Sequence, residues 1–176
     1  MNISIKRLEL LLWLVTPAII TFIMFILCAI PKYIWGINYI MPVLPLIPVF
    51  YWGRTQTAEI SYWFVFIIGL LTDVVSGLPL GMSALLYILF LLILHKQAKY
   101  MNNEGFVIIW GYFILLLAII SIIEWVLMSF SGNQSHAITA AVMQWLATTC
   151  CYPVFHKLFD YISDYIKQRR WILSHA

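Results

Sequence analysis

Two acids stand inside apolar runs. Asp73 lies in the stretch GLLTDVVSGLPLG, residues 69–81, and Glu124 lies in the run 106–128. A carboxyl group away from water either keeps its charge against a partner or takes up a proton. Such a group can hold a turn, contact another subunit, bind a ligand or carry a proton. General acid–base chemistry would need the two carboxyls placed across one substrate, and no spacing in the sequence brings 73 and 124 together. The chain shows no nucleophile–base pair, no phosphate-binding glycine loop and no Cys/His spacing of a metal site. Cys28, Cys150 and Cys151 lie in apolar runs and read as small packing residues. No cofactor and no enzymatic activity are expected.

The stretch around Asp73 reads as a turn. The side chains of Asp73 and Ser76 are of the kind that bonds nearby backbone N–H groups and fixes a bend. Gly77 and Gly81 permit positive φ or close backbone approach, and Pro79 stops a helix from continuing. The same two glycines make a GxxxG spacing, but Pro79 between them argues against an uninterrupted dimer helix. A second broken stretch is MPVLPLIPVFYW, residues 41–52, with Pro42, Pro45 and Pro48 at every third position. Three prolines would remove three ladder hydrogen bonds, so this segment is expected to be bent or partly unwound inside a bundle.

These residues must be positioned by helices in lipid. The chain has 176 residues, 64% of them hydrophobic and only 10% charged. A soluble domain carries about 25% charged residues. Six apolar spans fit, at 8–30, 33–52, 60–75, 80–94, 106–128 and 138–159, in one integral membrane domain. The first is read as a retained span and not a signal peptide, because its apolar run exceeds the ~7–15 residues of such signals. A span needs about 20 residues, so the third and fourth are short. Asp73 follows the start of the third span by a distance of roughly 20 Å, which places it in the outer half of the membrane.

Orientation follows from the basic residues. With the N-terminus inside, Lys6, Arg7, Arg54, Lys96, Lys99, Lys157, Lys167, Arg169 and Arg170 all face the cytoplasm, and Lys32 alone of the ten lies outside. Both termini are therefore expected to be cytoplasmic. Lys32 is a conceivable partner for Glu124 or Asp73. Tyr33, Trp35, Tyr51, Trp52, Tyr62 and Trp63 read as interfacial aromatics. The tail 160–176 reads as an amphipathic basic helix lying on the inner leaflet lipid. The net charge of +3 is accounted for by this segregation, so nucleic-acid binding is not expected.

The turn stretch also carries a family pattern. Gly69, Asp73, Val74, Val75, Ser76, Gly77 and Gly81, preceded by Pro42 and the pair Tyr51-Trp52, resemble the bacterial rod shape-determining protein MreD family. Met41 departs from it, since many relatives have a basic residue before the upstream proline. Pro45 and Pro48 are additional.

The resemblance implies a non-enzymatic protein of the bacterial inner membrane, part of the cell-wall elongation machinery. It implies a partner, MreC, and through it MreB, RodA and penicillin-binding protein 2. It also implies an all-α bundle of six transmembrane helices, similar to the substrate-binding subunits of energy-coupling-factor transporters, with an outward-facing cavity. The structural or partner-binding candidates are Asp73, Ser76, Gly77, Pro79, Gly81, Pro42, Tyr51, Trp52 and Glu124. Self-association is not specified. The rival readings are a substrate-binding membrane subunit of a vitamin transporter and an intramembrane enzyme using Asp73 and Glu124.

Overall fold

In the computed structural model the described residues are 15–30, 42–55, 60–101, 104–130 and 138–174. They form six helices: α1 Val15–Ile30, α2 Leu46–Thr55, α3 Tyr62–Ser76, α4 Met82–Met101, α5 Phe106–Phe130 and α6 Ile138–Ser174. Three stretches are long and apolar enough to cross a membrane: Met82–Met101, Phe106–Ser129 and Ile138–Asp164. Helices α1 and α3 are apolar but shorter. The fold is all-helical and that of a membrane protein.

The helices pack as neighbours in a bundle. α4 is central, meeting α2, α3 and α5, while α6 meets α5 and α2. At the centre Phe50 of α2 packs edge-on against Phe113 of α5 and Tyr152 of α6, at ring-centroid distances of 5.0 and 5.6 Å. Phe113 and Tyr152 stack at 4.4 Å, and Phe90 of α4 closes the group 6.3 Å from Phe50. All four rings are fully buried. Aromatic pairs in such tilted and edge-on geometry contribute about 0.5–1.5 kcal/mol beyond area burial.

Several helix limits differ from the sequence expectation. α4 runs to Met101, seven residues past the expected end at 94, so it is a full-length helix and not a short one. Lys96 and Lys99 end the apolar run but not the helix, because lysine, glutamine and alanine are good helix formers. α6 continues through 159 to Ser174 as one helix, with no break between the expected span and the expected tail. α2 begins only at Leu46. Pro42 and Pro45 therefore lie before the helix, and Pro48 sits in its first turn, where a backbone N–H has no ladder partner anyway. Its carbonyl four residues back, that of Leu44, accepts the N–H of Ile47 at 3.1 Å. The three lost ladder bonds expected from the prolines thus do not arise within the described helix. Residues 6, 7 and 32–41, which include Lys32, Tyr33 and Trp35, lie outside the described residues.

Helix α6 does contain an internal proline, Pro153. It cannot donate to the carbonyl of Thr149, four residues back. The indole N–H of Trp110, on α5, donates to that carbonyl at 3.3 Å. A second indole, Trp145 on α6, donates to the carbonyl of Ile114 on α5 at 3.2 Å. The two helices are laced by a reciprocal pair of tryptophans.

Candidate functional site at the Asp73 turn

Asp73 is fully buried in the last turn of α3. Its carbonyl and its carboxylate do different work. The carbonyl accepts the N–H of Gly77 and, at 3.0 Å, that of Leu78, which ends α3. Gly77 has φ 66° and ψ 25°, the left-handed conformation of a glycine stop. The carboxylate reaches forward across the turn. One oxygen accepts the N–H of Gly81 at 2.8 Å and the other that of Ser83 at 2.9 Å.

Gly81 is the residue before α4, and its carbonyl already accepts the N–H of Leu85 at 2.9 Å. It is the N-cap position. Capping there is ordinarily done by the residue's own side chain. Gly81 has none, and its φ of 94° suits only glycine. Asp73 supplies the missing acceptor from the neighbouring helix. A negative carboxylate at the N-terminus also meets the positive end of the α4 macrodipole. The charge inside the apolar run is therefore matched by two N–H donors and a helix end.

Gly69, one turn before Asp73, sets how closely the two helices lie. A Cβ there would stand 2.4 Å from the Cα and 2.7 Å from the backbone nitrogen of Ala84. Only glycine fits, and the close crossing is what brings the α4 N-terminus within reach of Asp73.

The turn borders a cavity of about 90 Å³. Its wall is contributed by the late turn of α3, the early turns of α4 and α6, the late turns of α1 and α5, and the segment before α2. Ser76, Pro42 and Glu124 all line it, so the structure brings these three sequence candidates to one place beside Ser83, the residue Asp73 holds. Pro42 accepts the thiol of Cys28 at 3.2 Å through its carbonyl. The next backbone N–H, that of Val43, donates to the hydroxyl of Thr148 on α6 at 2.9 Å. Pro79 and Gly77 are exposed at the turn.

Tyr51 and Trp52 lie elsewhere, at the opposite end of the bundle. Within the bundle each is only 3% exposed. Neighbouring rings on α6 cover them. The Tyr51 hydroxyl donates to one oxygen of Asp160 at 2.7 Å, and the Asp160 side chain is half exposed. The other Asp160 oxygen lies 2.9 Å from Nδ1 of His156. Phe159 packs against Tyr51 and Trp52 at 5.5 and 4.9 Å. Tyr62 and Trp63, by contrast, are exposed. His156 and Asp160 were not singled out from sequence, because 109 residues separate Tyr51 from its acid.

No curated protein and no solved structure matches the chain. The family model for rod shape-determining protein MreD matches residues 6–162. That match covers nearly the whole chain, including the Asp73 turn and both proline segments of the bundle, and the chain belongs to the MreD family.

Proposed function

We propose that this chain is a non-enzymatic adaptor of the bacterial cell-wall elongation machinery. The family establishes a role in rod shape determination, and its match over residues 6–162 is the observation that carries the proposal. The adaptor acts in the inner membrane, with both termini in the cytoplasm. It engages MreC, and through it MreB, RodA and penicillin-binding protein 2. Six spans and a likeness to energy-coupling-factor subunits belong to the same proposal.

Orientation is supported by charge. Arg54 ends α2, Lys96 and Lys99 lie in the last turns of α4, and Lys157 lies in the later half of α6. These positions share the bundle end opposite Asp73, as the positive-inside rule requires of a cytoplasmic face. Adaptor binding is supported by broad apolar helix faces. Leu115, Ile122, Val142 and Leu146 on α5 and α6 are all exposed, and a membrane helix has such faces available to lipid or to partner helices.

A vitamin-transporter subunit would need a larger pocket. Ligand pockets for such molecules run to ~300–1,000 Å³; among the described residues the cavity at the Asp73 turn holds about 90 Å³ and the apolar groove between α5 and α6 about 230 Å³. The intramembrane acid–base reading also weakens, since both Asp73 oxygens are taken up by backbone N–H groups.

The test is in-cell photocrosslinking from positions on the Asp73 turn and on the exposed face of α5, with the captured proteins identified. Capture of MreC or a wall synthase, together with rounding of rod cells on depletion, is the expected result. A co-purifying vitamin, with no crosslink to elongation proteins, would overturn the adaptor.

A further inference from the structure

Among the described residues, five buried side-chain nitrogen or oxygen atoms make no hydrogen bond, and three of them fall in one cluster toward the bundle end opposite Asp73. They are Nε of Arg54 on α2, and the Tyr152 hydroxyl and Nε2 of His156 on α6. Tyr152 and His156 are one helical turn apart, with ring centroids at 5.5 Å. The Arg54 guanidinium carbon stands 5.9 Å from the centre of the Tyr51 ring, and that ring meets His156 edge-on at 5.4 Å. The Arg54 charge acts on both Tyr152 and His156. Phe106, the first residue of α5, covers the cluster, its ring 4.9 Å from that of His156 and 6.4 Å from that of Tyr152. Phe106 is itself 39% exposed. An exposed ring at a helix end is the part of a cover that gives way most easily.

The unpartnered atoms define what would satisfy them. Asp160 serves none of the three, since one of its oxygens takes the Tyr51 hydroxyl and the other faces Nδ1 of His156. Nδ1 beside a carboxylate carries the ring proton, so Nε2 is an acceptor in the neutral imidazole and a donor in the imidazolium. The Arg54 Nε–H can only donate. The Tyr152 hydroxyl can do either, and phenylalanine would fill its place without burying a polar atom. A group with several acceptor oxygens and a negative charge answers all three, with His156 donating as the imidazolium. A phosphate is such a group, and the forked guanidinium of arginine suits it. Lys96, Lys99 and Lys157 share this bundle end and draw anions to it.

We propose that the Arg54–Tyr152–His156 cluster binds a phosphate group behind the Phe106 ring, carried by an anionic phospholipid or by a phosphate solute. Placing that lipid in the inner leaflet rests on the orientation proposed above; the donor set does not.

The test uses the full chain purified in detergent. Thermal unfolding is followed during titration with inorganic phosphate, against sodium chloride at matched ionic strength. It is then compared in nanodiscs of phosphatidylglycerol with phosphatidylcholine and of phosphatidylcholine alone, which offer lipid at both faces and so are indifferent to orientation. Phosphate or phosphatidylglycerol raises the melting temperature, and the control does not. An effect of phosphatidylglycerol alone assigns the group to lipid, and an effect of inorganic phosphate assigns it to a solute. Arg54→Lys keeps the charge but loses the fork, and weakens the effect by about tenfold or more. His156→Gln weakens it similarly. Tyr152→Phe also weakens it, while the ligand-free protein keeps its melting temperature or gains. Lys99→Ala and Lys157→Ala leave most of the effect in place. If His156→Gln does not fold, Arg54→Lys and Tyr152→Phe carry the same comparison. No effect of either phosphate source beyond its control overturns the proposal. So does an effect that survives Arg54→Lys and Tyr152→Phe but is lost in Lys99→Ala or Lys157→Ala, since surface charge would then be its whole cause.

Discussion

The carboxylate of Asp73, in the last turn of α3, accepts the backbone N–H of Ser83, in the first turn of α4, at 2.9 Å. With the Gly81 N–H on its other oxygen at 2.8 Å, it caps a helix to which it does not belong. Asp73→Asn keeps one acceptor but turns an NH₂ toward the second donor. It is expected to cost about 1–2 kcal/mol of stability. Asp73→Leu leaves both N–H groups unpaired and costs more, about 3 kcal/mol. Thermal or denaturant unfolding in detergent ranks the two, and equal stability of the Leu variant and the parent would remove the capping role.

Gly69→Ala forces α3 away from α4, because the nearest obstacles are the Cα and N of Ala84 and not a side-chain tip. A loss of about 1–3 kcal/mol is expected. Adding Ala84→Gly does not restore stability, since it removes only the Cβ contact at 3.1 Å and leaves the backbone in place. Rescue by that second change would show that the crossing is looser than described.

Trp110→Phe removes the donor that serves the Thr149 carbonyl, at a cost of about 1–3 kcal/mol. In a Pro153→Ala background the helix regains its own N–H four residues on, so the same Trp110→Phe change is expected to cost much less. A double-mutant cycle reads the difference. Additive effects would mean that the indole and the proline are unrelated.

Tyr51→Phe and Asp160→Asn remove two ends of one bond of 2.7 Å. Their combined cost is expected to fall short of the sum by about 0.5–3 kcal/mol. Asp160→Asn alone also disturbs His156, 2.9 Å from the other oxygen, and so is the more damaging single change. Strict additivity in unfolding would separate Tyr51 from this cluster.

The features legible in the sequence are those built from neighbours in the chain. An aspartate followed by two glycines and a proline inside an apolar run announces a turn, and Gly77 and Gly81 both adopt positive φ. What could not be read is the address of each long-range partner. Ser83 looks like any small polar residue until α3 and α4 are packed. Trp110 and Thr149 are 39 residues apart, and Tyr51 and Asp160 are 109 apart. Hydropathy likewise marks where lipid-compatible residues stop, not where a helix stops, which is why α4 outlasts its apolar run.

The close crossing at Gly69 makes α3 and α4 a lever with a short arm. Gly69 is the fulcrum, and Asp73 sits four residues further on, about 6 Å along the helix axis. A wedge at the fulcrum is transmitted to the capping carboxylate with little attenuation, because one helical turn has almost no slack. Hydrogen bonds of 2.8 and 2.9 Å tolerate only a few tenths of an ångström before they weaken. Spacing at a residue with no side chain therefore governs an electrostatic contact it never touches. A defect seen at the turn can have its origin one turn away.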